Sequence, residues 1–180
     1  MRMVLDACVI FPTVLRDILI AAAAKRLYEP LWSERILREW VLATAKLGPV
    51  AQMQADGEAI VLRAKFPKAM IREQPDIERR LRLPDADDRH VLAVAIAGAA
   101  DGIVTFNAKD FPRHVLAEEG IARRDPDSLL WELWSHHPDV VAEVVAGVHA
   151  EAERLSGGVL ALKALLKRAQ LPKLAKALLT

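Results

Sequence analysis

At 180 residues the chain has room for one domain with a full core plus an appendage, and is short for two independent domains. Its 53% hydrophobic and 27% charged residues describe an ordered protein, and a formal net charge of +1 excludes polyanion binding by bulk charge alone. A single cysteine, Cys8, excludes an internal disulfide and multi-thiolate zinc, while the absence of a signal-like or membrane-length apolar stretch leads us to expect a cytoplasmic protein.

Met3-Val4-Leu5 is short, apolar and ends at Asp6, the pattern of a buried strand. Pro12 suits the first turn of a helix running to the alanines near Ala24. Pro30 breaks the chain. Ser33 then caps a second helix, in which Ile36, Trp40, Ala43 and Leu47 share one side and Gly48 marks the end. A further helix is expected from about Val50 to Lys65, and Pro67, Pro75 and Pro84 punctuate an irregular or extended stretch. Asp85 to Asp88 precede Val91, Leu92, Val94, Ala95 and Ile96, which reads as a capped, deeply buried helix ending at Gly98. A strand over Gly102–Phe106 follows and runs into a polar turn closed by Pro112. Another short strand near Gly120–Arg123 completes a mostly parallel sheet flanked by helices. The expected fold class is thus a doubly wound α/β domain over residues 1–125.

Beyond Asp125 the pattern is helical only, giving an all-helical extension over 126–180. Pro126 and Pro138 open two helices, and Gly157-Gly158 separates them from two short ones at about 160–168 and 173–179. Leu130, Trp131, Leu133 and Trp134 face more than one side of their helix. They are expected to be buried against the core, a partner or a second copy of the chain, so a homodimer is among the expected states.

Charge is unevenly distributed. Arg63, Lys65, Lys68, Arg72, Arg79, Arg80 and Arg82 face three acids in the same stretch, and five cations between Lys163 and Lys176 face none. Runs of this kind are most often solvated helix faces. The histidines carry no zinc spacing: His136-His137 reads as a solvated turn before Pro138, and His90, two residues after Asp88 and so within reach of the groove, reads more readily as a helix residue packed near the sheet. There is no glycine-rich phosphate loop and no Ser-His-Asp set on strand ends.

In open α/β sheets, ligands bind beyond the carboxyl ends of the strands. Asp6 stands at the end of the first strand, Asn107 and Asp110 follow the end of another, and Asp88 lies in the first turn of the helix feeding it. Glu39 flanks the apolar stripe of its helix. Each has an ordinary explanation: Asp85, Asp87 and Asp88 as helix caps, Glu39 as a surface residue. Gathered at one rim they would repel, by about 4 kcal/mol for a pair about 4 Å apart at an effective dielectric of 20, and a divalent cation would relieve this. Oxygen-only ligation favours Mg²⁺ or Mn²⁺, and phosphodiester hydrolysis is the natural reaction for such a site.

Four segments carry a resemblance to a known family: Leu5-Asp6-Ala7-Cys8-Val9, Leu37-Arg38-Glu39-Trp40, Pro84 to Ala93, and Asp101 to Phe111. In this order they resemble the motifs of PIN-domain ribonucleases of the VapC toxin type, over about residues 1 to 125. The helical tail resembles the extension of a subgroup. The resemblance implies Asp6, Glu39 and Asp88 as catalytic, metal-binding acids, with Thr105, Asn107, Asp110 and Asp85 in support. It also implies an RNA substrate and a small cognate antitoxin whose C-terminal segment blocks the acidic groove. Where many relatives carry an aspartate two residues after the threonine, this chain has Asn107, which removes a charge and bears on whether one metal or two are held. Two other readings stay open: a housekeeping RNA-processing nuclease with the same site, and a phospho-accepting receiver domain, which would need an acidic pair after the first strand.

Overall fold

A computed structural model describes residues 1–179 of the protein. In chain order the elements are β1 (Arg2–Leu5), α1 (Ala7–Ile10), α2 (Thr13–Ala24), β2 (Glu29–Leu31), α3 (Glu34–Thr44), α4 (Pro49–Lys65), α5 (Pro75–Arg80), α6 (Arg89–Ala97), β3 (Gly102–Val104), α7 (Arg113–Glu118) and β4 (Ala122–Arg124). Four helices follow: α8 (Pro126–His136), α9 (Pro138–Ser156), α10 (Leu162–Arg168) and α11 (Pro172–Leu179). The chain folds into two compact units, the first comprising Met1–Phe11 and Glu29–Arg124, the second Pro12–Tyr28 and the chain from Asp125 onward. No helix among the described residues is long and apolar enough to cross a membrane.

The first unit is built on a sheet of order β2-β1-β3-β4 in which every pairing is parallel, as the strand-helix alternation leads one to expect. Val4, Leu5, Ile103 and Val104 are fully buried, the continuous apolar content of central parallel strands. From β1 the chain passes to β2 on one side, and later to β3 on the other, so the strand order reverses between β1 and β3. Such a reversal opens a crevice at the carboxyl ends of the two strands. The entry to β3 is tight: a Cβ on Gly102 would lie 2.7 Å from the Ala122 carbonyl oxygen, so only glycine fits there. α6 packs on both β1 and β3, and His90 through Ala95 are all buried, which explains its near-continuous apolar sequence.

Several local expectations need correction. Pro30 does not break the chain; it lies within β2, paired with Met3. β2 is an edge strand, and because Glu29 N donates to Met1 O, the next residue's missing N–H falls on the side away from β1. Pro75 likewise opens α5 rather than interrupting an extended stretch, since proline suits the first helical position. Asp76 and Glu78 in its first turn and Arg79 and Arg80 in its last match the helix dipole. The one-turn helix α1 directly after Asp6, and α7 after Pro112, have too few periodic positions to announce themselves in sequence.

Three of the seven cations in the run from Arg63 are paired with acids within the chain: Arg63 with Glu34, Arg79 with Asp76 and Arg80 with Glu119. That fits a solvated, ion-paired face.

In the second unit α2 packs against α9, and α8 packs against both α9 and α11. Asp127, only 5% exposed, accepts from Lys173 N (2.8 Å) and Leu174 N (3.0 Å), which caps α11 with a charge. Leu129, Leu130 and Leu133 are buried within the chain, whereas Trp131 is 45% exposed, so the core does not cover it. Because α2 packs against α9, deleting residues 126–180 removes a packing partner of α2, whose Leu15, Ile18, Leu19 and Ala22 are buried in the whole chain. The expected outcome is insoluble or aggregated protein, checked by size-exclusion chromatography; a soluble, monomeric truncation would contradict it.

Candidate metal centre

The site is assembled at the β1/β3 crevice. β1 ends at Asp6, whose backbone N–H donates to Val104 O (3.1 Å) and extends the ladder by one residue. Asp6 then stands as the residue preceding α1, and its side chain, 6% exposed, is held from the β3 side. Thr105 Oγ1 donates to Asp6 Oδ2 (2.7 Å), and the Cys8 thiol donates to the same oxygen (3.1 Å). Burial, with the Asp6 charge beside it, pushes the Cys8 thiol up to about 12, so it remains a protonated donor rather than a thiolate ligand. Cys8 thus does more than fill space beside a strand, a role its sequence position does not reveal.

Thr105 also orders the opposite wall. Its hydroxyl accepts from Asn107 N (2.9 Å), and the Asn107 side-chain amide donates to Asp88 Oδ2 (3.1 Å). A hydrogen-bonded line therefore runs from Asp6 through Thr105 and Asn107 to Asp88, joining the ends of β1 and β3 to the start of α6. Asp88 is placed by a single 3-10 turn over Ala86–Asp88, capped by Asp85 Oδ1 accepting from Asp87 N (2.9 Å). The capping role expected for Asp85 and its closeness to Asp88 coexist.

Ligand oxygens of Asp85, Asp88 and Asp110 all lie within 4.8 Å of one another. Burial raises Asp88 to about 6, and the charges of Asp6, Asp85 and Asp110 add to the shift, with His90 acting the other way. Asp6 is thus an electrostatic neighbour of Asp88 although it stands outside the tight group. Glu39 is placed differently: Oε1 lies 3.2 Å from Arg35 Nε and 2.9 Å from His90 Nε2. Arg35 continues to the Asp87 carbonyl oxygen (3.2 Å), which ties α3 to the acidic turn. The contact of Glu39 with His90 joins α3 to α6, while Arg35 meets it from one turn back on the same helix. Nothing in the sequence flags the His90 contact, which depends on how two helices distant in the chain pack.

The donor set suits a hard divalent cation. It consists of carboxylate oxygens, with the one sulfur held protonated, and three carboxylates so close are strained without positive charge between them.

The sign of the Asp88 shift sets a test. An acid whose folded-state pKa lies above its unfolded value, here 3.8, weakens the folded state as pH rises through the interval up to about 6. In EDTA, Asp88→Asn should therefore melt at a higher temperature than the wild type at pH 7.5, with the gap narrowing toward pH 4. Thermal unfolding across that range checks this; a variant that melts lower throughout would contradict it.

The family model of the PIN domain matches residues 2–109, a span that includes Asp6, Glu39, Asp85, Asp88, Thr105 and Asn107. No curated protein and no solved structure matches the chain. With more than half of its length so matched, and with a parallel sheet flanked by helices, the chain belongs to the PIN-domain family, whose members are generally metal-dependent nucleases.

Proposed function

We propose that the protein is an endoribonuclease that hydrolyses RNA phosphodiester bonds with Mg²⁺ or Mn²⁺. The observation that carries this reading is the crowding of Asp88 by Asp85 and Asp110, with Asp6 acting on it from the end of β1, in the crevice where the strand order reverses. When bound, a divalent cation lowers the pKa of an attacking water and offsets charge on the phosphate. In this reading Asp6, Asp88 and Glu39 are the catalytic, metal-binding acids, with Asp85 and Asp110 completing the acidic wall. Thr105 and Asn107 fix the orientations of Asp6 and Asp88 through the bonds described. Asn107 spends its amide on Asp88 Oδ2 and adds no charge, so a single tightly held ion is the proposed stoichiometry.

The reading extends to biological role. The four motif segments and the helical region after Asp125 resemble toxins of the VapC type, which supports a cytoplasmic toxin restrained by a small antitoxin that covers the acidic groove. Growth arrest on induced expression, relieved by a co-expressed neighbouring small protein, would separate this role from housekeeping RNA processing. A receiver domain fits less well, because Asp6 has no acidic neighbour at its strand end and its carboxylate is already engaged by Thr105.

Purified protein incubated with tRNA and mRNA should cleave in Mg²⁺ or Mn²⁺ and not in EDTA. Asp6→Asn and Asp88→Asn should each lower the rate by at least about 100-fold, on the scale expected when a group stabilising transition-state charge is lost. Undiminished cleavage by Asp88→Asn, or cleavage indifferent to EDTA, would refute the proposal.

A further inference from the structure

We infer that His90 is a positioning residue for Glu39, holding that carboxylate in register with the acidic wall; this rests on the metal-dependent nuclease reading above. His90 is 1% exposed, in the first turn of α6 and two residues after Asp88. Neither ring nitrogen makes an aligned hydrogen bond, a costly arrangement for a buried imidazole, which calls for a partner. One polar atom stands at the right distance: Glu39 Oε1, 2.9 Å from Nε2. The distance suits a hydrogen bond and the alignment does not, so the proposed role requires the Glu39 carboxylate to reorient toward Nε2.

Glu39 needs such a support. It projects from α3 as a long side chain, 38% exposed, and its other contact is Arg35, itself 37% exposed. An exposed Glu–Arg pair four residues apart on a helix holds a carboxylate weakly. His90 differs in being fixed on a buried helix packed against β1 and β3, the two strands that carry Asp6 and Thr105 at their ends. It therefore refers Glu39 to the same rigid frame as the other acids. Arg35 and His90 both approach Oε1, which leaves Oε2 as the unengaged oxygen. Groups that orient a metal-binding side chain in this way typically change metal affinity or activity 10- to 100-fold when removed.

The test compares His90→Phe, His90→Asn and His90→Gln in the full chain, with Mn²⁺ affinity measured from the electron paramagnetic resonance of free Mn²⁺ and with RNA cleavage kinetics. Phenylalanine removes the polar nitrogen. Asparagine keeps polarity but its amide stops short of Glu39, whereas the glutamine amide reaches as far as Nε2. Phe and Asn should weaken Mn²⁺ binding about 10- to 100-fold and lower kcat with KM for RNA unchanged. Gln should restore both to near wild type. In a Glu39→Ala background, which removes the acceptor itself, His90→Asn should cause no further loss. Should His90→Phe fail to fold in EDTA, the Asn and Gln pair decides alone. Wild-type Mn²⁺ affinity in His90→Asn, or an equal loss in the Glu39→Ala background, would overturn the inference while leaving the nuclease reading in place. A wild-type protein that neither binds Mn²⁺ nor cleaves RNA would overturn both.

Discussion

Asp88 sits where negative charges from three chain segments converge, and the repulsion among them is the constraint on which the site depends. Asp85 and Asp110 press on it within one 4.8 Å group, and Asp6 adds its field from the end of β1. A pair of carboxylates about 4 Å apart costs about 4 kcal/mol at an effective dielectric of 20. The protein lowers this cost in the absence of metal by letting Asp88 hold its proton up to about pH 6, and by setting beside it the neutral Asn107, whose amide donates to Asp88. Stability is thereby exchanged for a set of closely gathered oxygens, which the proposed function assigns to a divalent cation.

The fold keeps those oxygens in place against their repulsion. The β1/β3 pairing is buried and in register, and Asp6 and Thr105 each follow the last strand residue of their own side. Their side chains therefore meet at 2.7 Å without either departing from the sheet. α6 rests on the same two strands, so Asp88 at its start is set relative to Asp6 by packing and not by a flexible loop. The line Asp6–Thr105–Asn107–Asp88 then converts that placement into orientation. Hydrogen bonds to groups on rigid elements are what give an active site its precision.

Much of this was legible in the residues because apolar runs and strand ends are local signals. Met3-Val4-Leu5 ending at Asp6, and Gly102 onward ending near Asn107, place two polar groups at strand ends whatever the rest of the chain does. The buried helix from Arg89 announces itself by composition alone. Proline misled, because its meaning depends on context that a local window lacks: Pro30 is tolerated by an edge strand and Pro75 by a helix start. Of the partners of Glu39, Arg35 stands four residues away on the same helix, but His90 was not legible, since it reaches Glu39 through the packing of α3 and α6. Nor does any local pattern foretell that α2, early in the chain, joins the helices after Asp125 in one compact unit.

The central claim is that these carboxylates form one cation site centred on Asp88. Crystals of the protein grown at pH 7.5 and soaked in Mn²⁺ test it most directly, through the anomalous signal of the ion. The account predicts a peak at about 2.1–2.3 Å from an oxygen of Asp88 and from at least one oxygen of Asp6, Asp85 or Asp110. A fully soaked crystal with no anomalous peak in the β1/β3 crevice, or with its ions bound only elsewhere on the surface, would contradict it.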